Sequence, residues 1–134
     1  MYDVIIEHKF SSAHYLRQYH GKDEPLHGHN YRVQVQFSGK DLVFPEEYLV
    51  DFVEVNAILK EILSRIDYKN INDVPPFDKM NSSAENIARW VWSEFARRMP
   101  SLPPSCVTVW ETEQGAARYR PDPAPRAPGE IATA

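Results

Sequence analysis

The stretch Leu26-His27-Gly28-His29-Asn30-Tyr31 constrains this chain more than any other. Side chains of an extended strand alternate between its two faces. His27, His29, Tyr31, Val33, Val35 and Phe37 therefore share one face, and Asn30, Arg32, Gln34 and Gln36 share the other. This is the pattern of a strand with one buried side, and that side opens on two imidazoles. A lone histidine there is most often a core residue satisfied by backbone carbonyls. Two on one face, separated by a glycine and preceded by further histidines, point instead to a shared cation.

The first of those histidines to matter is His14. Tyr2, Val4 and Ile6 alternate with Asp3, Ile5 and Glu7, which predicts an opening strand running through Phe10 to Ser11-Ser12-Ala13-His14. An unbroken pleat puts His14 on the face of Tyr2, Val4, Ile6 and Phe10, whereas a bulge in the Ser-Ser-Ala segment would turn it away. Between the two strands, 15–25 is polar and carries Gly21 and Pro25, as a loop does. It holds Arg17, His20, Lys22, Asp23 and Glu24.

After a turn at Ser38-Gly39-Lys40-Asp41 and an irregular connection broken by Pro45, the period changes. Phe52, Val55, Leu59, Ile62 and Ile66 recur at steps of three and four, one face of a helix that Asp51 and Glu54 start as a capping box. Ser82 and Glu85 supply a second such start, followed by Ile87, Trp90, Val91 and Phe95 in a helix stopped near Pro100. Alternation returns from Cys106 to Glu111, with Val107, Val109 and Glu111 on one side, and again over 116–119 beyond a Glu113-Gln114-Gly115 turn. The order β-β-α-α-β-β predicts an α+β fold, an antiparallel four-stranded sheet with both helices on one face. Residues 1–120 form one domain, and 121–134, with four prolines, is expected to be a disordered tail. The open edges of such a sheet need pairing or covering, which oligomerisation would supply.

Composition narrows the chemistry. One cysteine, Cys106, allows neither an internal disulfide nor a cysteine-built zinc knuckle, so a metal must be held by nitrogen and oxygen. A net charge of −4 and no Lys/Arg cluster disfavour nucleic acid and anionic membrane surfaces. No run of about 18 apolar residues and no leader pattern are present, and a cytoplasmic protein is expected.

Taken together, Phe10-Ser11-Ser12-Ala13-His14, Leu26 to Tyr31, Asp51-Phe52, Asp67-Tyr68-Lys69-Asn70, Ser83-Ala84-Glu85-Asn86 and Glu111-Thr112 resemble the 6-pyruvoyl-tetrahydropterin and 6-carboxy-tetrahydropterin synthase family over most of residues 1–120. The resemblance implies the tunnelling fold, in which sheets of several subunits join into barrels, usually in hexamers built as dimers of trimers. It implies zinc held by His14, His27 and His29, with an open coordination position of the catalytic kind. It further implies that Glu111 anchors the pterin ring, two adjacent N–H donors presenting a bidentate target to one carboxylate; otherwise Glu111 is a solvated strand-end charge.

Two departures stand out. Where standard members carry a cysteine base, four residues before the first histidine of His-Gly-His, this chain has Asp23. Glu24-Pro25-Leu26-His27-Gly28-His29 resembles a branch that uses glutamate instead, so Glu24 becomes the candidate base, with a solvated Asp23/Glu24 loop pair as the alternative. At Asp67-Tyr68 the family's pair is Asp-His; tyrosine can act as a general acid but is a poor base near neutrality. Asp67 either orients Tyr68 or caps the loop after the first helix. The implied activity is a zinc-dependent pterin side-chain lyase or synthase acting on 7,8-dihydroneopterin triphosphate or a close analogue, yielding a 6-pyruvoyl-, 6-carboxy- or 6-hydroxymethyl-pterin. The alternatives are a zinc- and pterin-binding protein with lost or altered catalysis, and a hydrolase of another heterocycle.

Overall fold

The computed structural model describes residues 1–122, so that, apart from Pro121 and Asp122, the tail expected over 121–134 lies outside the described residues. Four strands and two helices follow in the expected order: β1 (Tyr2–His14), β2 (His27–Gly39), α1 (Phe52–Ser64), α2 (Ala84–Arg98), β3 (Cys106–Thr112) and β4 (Gly115–Tyr119). A short 3-10 turn, Ile71–Asp73, lies between the helices. The strands form one antiparallel sheet in chain order, β1-β2-β3-β4.

The β1–β2 register runs without interruption from Tyr2↔Gly39 to His14↔His27. No bulge interrupts Ser11-Ser12-Ala13, and His14 keeps the parity of Ile6 and Phe10. Those two residues are buried, with Tyr31, Val33, Val35 and Phe37 from β2 and Val107 and Val109 from β3. Helix α1 covers them with Val55, Leu59, Ile62 and Leu63, and α2 with Ile87, Trp90, Val91 and Phe95. Each such side chain contributes about 1.5–3 kcal/mol on burial. Phe37 meets Phe95 edge to face at 5.6 Å, tying the sheet to α2.

Three details depart from expectation. Tyr2 and Phe52 are exposed, because each lies at the end of its element, beyond the side chains that pack across the sheet. The cap of α2 is Ser83, whose hydroxyl accepts from the Asn86 N–H at 3.2 Å, and Ser82 plays no part in it. A Ser-x-x-Glu spacing at 82 and 85 imitates a capping box, yet Ser83 is the residue with extended backbone directly before the first helical turn. Ser82 is fully buried, one residue outside the helix, and is free to bond elsewhere. Asp51 does cap α1, accepting from the Val53 N–H at 2.9 Å.

The segment after α1 covers part of the outer edge of β1. Tyr68 N–H donates to the Ser11 carbonyl at 2.7 Å, Ala13 N–H donates to the Lys69 carbonyl at 2.9 Å, and Asn70 forms a parallel bridge with Ala13. No helix among the described residues is long and apolar enough to cross a membrane.

Candidate metal centre

The uninterrupted register brings three histidines together. His14 ends β1 directly opposite His27, which begins β2, and His29 follows two residues later on the same face. Ring centroids are 4.7 Å apart for His14–His27, 5.1 Å for His14–His29 and 4.8 Å for His27–His29. One ring nitrogen from each lies within 4.8 Å of the others.

Outer hydrogen bonds orient His14 and His27. The His14 Nδ1–H donates to the Ser82 carbonyl at 2.8 Å, and the His27 Nδ1–H donates to the Pro25 carbonyl at 2.8 Å. A carbonyl can only accept, so Nδ1 carries a proton in both rings, and in the neutral form of either ring the lone pair is on Nε2. This is the common arrangement of metal-binding histidines. Backbone carbonyls therefore satisfy one nitrogen per ring, as in a core histidine, while the second nitrogens are left for another partner. Burial is the largest influence on His14 and holds it below the ordinary imidazole value, against the opposing effects of the Ser82 bond and Glu111. A neutral ring is the ligating form.

Ser82 is itself held. Its hydroxyl donates to Asn72 Oδ1 at 3.1 Å, and the same oxygen accepts from the Tyr15 N–H at 3.0 Å while Asn72 Nδ2 donates to the Tyr15 carbonyl at 2.9 Å. Asn72, in the 3-10 turn and 3% exposed, thus ties the end of β1 to the start of α2 around His14.

Glu111 reaches the cluster from β3, its Oε1 3.5 Å from His14 Nε2. With His14 neutral, the form its burial favours, and its proton on Nδ1, that contact sets a lone pair against a carboxylate oxygen, two acceptors with nothing to share. A cation resolves the conflict. Three imidazoles without a thiolate suit zinc among other divalent ions, so the donor set fits the metal that the resemblance implies.

Two adjacent cavities share Ser11, Gly28, His29 and Asn30 in their linings. One of ≈ 820 Å³ is lined by residues including Phe10, His29, Tyr31, Trp110 and Glu111. The other, of ≈ 490 Å³, is bordered by Ser12, Gly28, His29, Tyr68 and Asn70 among others. A Cβ on Gly28 would meet only the Ser12 carbonyl at 3.6 Å, an ordinary contact, so the glycine is not demanded by crowding within the sheet. Gly28 lies in the lining of both cavities.

The remaining candidates lie as follows. Glu24 is half-buried, and its Oε1 accepts from the Leu16 N–H at 2.8 Å while its own N–H donates to the Leu16 carbonyl at 3.0 Å. Asp23 is exposed and accepts from the Gln18 N–H at 3.1 Å. Asp67 Oδ1 accepts from the Ser11 N–H at 3.0 Å, so the carboxylate anchors the loop to β1. Tyr68 has φ +54 and is 84% exposed, its side chain at the rim of the smaller cavity. Arg17 spends its guanidinium on the carbonyls of Phe77 and Met80. His8 bonds Asn56 Oδ1 at 3.0 Å and His20 packs against Tyr19, both apart from the cluster, and Cys106 is buried in the core.

Against this geometry, the family model for 6-pyruvoyl tetrahydropterin synthase matches residues 3–122. The chain belongs to that family. The 6-carboxy-5,6,7,8-tetrahydropterin synthase of Haemophilus influenzae is 30% identical over an alignment covering 90% of this chain and 99% of that protein. The 6-pyruvoyl tetrahydrobiopterin synthase of Poecilia reticulata is 32% identical over 70% of this chain, which spans 65% of that relative's length. Among solved structures, the 6-pyruvoyl tetrahydropterin synthase of Caenorhabditis elegans superposes with a TM-score of 0.77 at 25% identity, covering 91% of this chain and 98% of that one. The Plasmodium vivax synthase, at 17% identity and a TM-score of 0.66 over 90% and 98% of the two chains, shares the fold.

Three residues of this family member that sequence reasoning did not assign to the site surround the histidines: Ser82, Asn72 and Tyr31. Tyr31 alone carried a signal, the parity it shares with His27 and His29. Its ring stacks on Phe10 at 4.5 Å, and burial, followed by the charges of Glu111 and Glu24, raises its phenol well above the ordinary value. Ser82 and Asn72 belong to segments that meet His14 only in the folded chain.

Proposed function

We propose that this protein is a zinc-dependent pterin side-chain lyase or synthase acting on 7,8-dihydroneopterin triphosphate or a close analogue. One observation carries the proposal: ring nitrogens of His14, His27 and His29 lie within 4.8 Å of one another, with the Glu111 carboxylate 3.5 Å from His14 Nε2, an arrangement that suits a cation. His14, His27 and His29 are the proposed ligands. When bound there, the metal supplies Lewis acidity towards a hydroxyl of the substrate's side chain.

Glu111 receives the adjacent N–H donors of the pterin ring and fixes the heterocycle in the larger cavity. Glu24, whose negative charge reaches the same buried region, is the proposed base for the carbon-bound proton of the side chain. To act, it must exchange its bond from Leu16 N–H for one to substrate. Asp67 keeps Tyr68 beside the second cavity by holding the loop to β1, and the Tyr68 phenol is the proposed general acid. The product is the 6-pyruvoyl, 6-carboxy or 6-hydroxymethyl pterin; a glutamate base favours the last. The uncovered parts of the sheet edges and the exposed Tyr68 support the proposed assembly, a hexamer of two trimers with sheets joined in barrels; the cytoplasm is its proposed location.

A second reading, a zinc- and pterin-binding protein without turnover, draws on a specific observation. Both candidate carboxylates, Glu24 and Asp67, are occupied by backbone N–H groups, and Tyr68 is 84% exposed. Incubation of zinc-loaded protein with 7,8-dihydroneopterin triphosphate, followed by mass spectrometry, separates the two. A new pterin product supports the enzyme, and unchanged substrate bound tightly to metal-loaded protein supports the binder.

A further inference from the structure

Tyr31 is buried beside the histidine cluster. It is 0% exposed, its ring is held parallel to that of Phe10 with 3° between planes, and its centroid lies 5.4 Å from His29 and 5.9 Å from His14. The hydroxyl has no hydrogen-bond partner among the described residues. Phenylalanine would fill the same stack with no polar atom to satisfy. An unpaired buried hydroxyl is costly, so this one, on a ring packed beside His14 and His29, is a hydrogen-bonding group prepared for a partner that arrives with the ligand.

We propose that the Tyr31 hydroxyl is a further binding group of this site, donating to a neutral oxygen held at the three-histidine cluster. That oxygen is a hydroxyl of the ligand's side chain, or the water that occupies the same position before the ligand arrives. The neighbouring Glu111 carboxylate repels an anionic oxygen, whereas a neutral hydroxyl accepts from the phenol and still has a proton to donate. The proposal rests on the pterin reading of the site and adds the determinant that distinguishes a hydroxylated side chain from a bare one.

The test is Tyr31→Phe, which keeps the ring and removes one oxygen. Cobalt affinity is measured by competition with a chromophoric chelator. Binding of neopterin, which carries a trihydroxypropyl side chain, and of 6-methylpterin, which has no side-chain hydroxyl, is measured by calorimetry on metal-loaded protein. About a tenfold loss for neopterin, with 6-methylpterin unchanged, is the expected result. If cobalt affinity is also unchanged, the ligand's hydroxyl is the partner; a loss for cobalt with neopterin binding unchanged identifies the water. The metal-free variant should melt no lower than the parent, because only an unpaired atom has gone.

Unchanged neopterin and cobalt affinities overturn the proposal, as do equal losses for both pterins or a large fall in melting temperature, which mark a structural tyrosine. A parent protein that binds neither metal nor neopterin defeats the pterin reading itself. A parent that binds both, with an indifferent phenylalanine variant, defeats only the role of Tyr31.

Discussion

Replacement of Asn72 by alanine tests whether the hydrogen bonds behind His14 hold the site together. The carboxamide makes three bonds, accepting from Tyr15 N–H at 3.0 Å and from the Ser82 hydroxyl at 3.1 Å and donating to the Tyr15 carbonyl at 2.9 Å. Each buried group left unpaired costs about 1–3 kcal/mol. Asn72 is 3% exposed but Tyr15 is only half-buried, so water entering the vacated space re-satisfies part of the loss and the low end applies, about 3 kcal/mol in total. That is a large share of the 5–15 kcal/mol typical of a domain.

Equilibrium urea denaturation of the metal-free protein reads this loss directly. With Ser82 no longer held, the carbonyl that orients His14 becomes mobile, and zinc affinity, measured by chelator competition in native buffer, should fall about 10- to 100-fold. Asn72→Asp is the informative companion. It retains the acceptor for Tyr15 N–H and Ser82 but sets an oxygen against the Tyr15 carbonyl, so it should also be destabilised. An alanine variant that loses under about 1 kcal/mol and binds zinc like the parent would refute the reasoning, because the three bonds would then be incidental to both stability and site.

Three other outcomes are expected. His27→Ala should leave a folded protein that retains almost no zinc after dialysis, as read by plasma emission, since two imidazoles hold the ion far less tightly than three. Glu24→Gln should keep its metal and its bond from Leu16 N–H but lose turnover by at least about 100-fold; unchanged turnover with zinc bound removes Glu24 as the base. Glu94 supplies a pH-dependent prediction away from the site. Burial alone would raise its carboxyl, but Arg65 and Arg97, each 2.7 Å away, outweigh that and hold it below its ordinary value of 4.5. A lowered carboxylate stabilises the fold above its unfolded value and loses that contribution as pH falls through the folded value. Glu94→Gln should therefore cost about 1 kcal/mol at neutral pH and show a shallower loss of stability below pH 4.5 in urea titrations.

Much of the fold can be read locally because period and burial are local properties. Alternation along β2 assigns His27, His29 and Tyr31 to one face whatever the strand pairs with, and the three-and-four spacing from Val55 to Ile62 marks the buried side of α1. Capping was less legible. Ser82 and Ser83 are adjacent and chemically identical, and only the backbone conformation decides which one meets the helix.

The order of elements, the shared face of His27 and His29, and the exclusion of cysteine ligands all belong to the sequence, because they follow from strand geometry and residue type alone. Tertiary structure decided the rest. Thirteen residues of unbroken pairing were needed to bring His14 opposite His27, and a bulge would have defeated it. Ser82 reaches His14 across 68 positions of chain, Asn72 reaches Tyr15 across 57, and Glu111 arrives from a third strand. Contacts at such separations depend on packing between elements, which no local pattern encodes, and they are what gather three histidines from two strands beside a carboxylate.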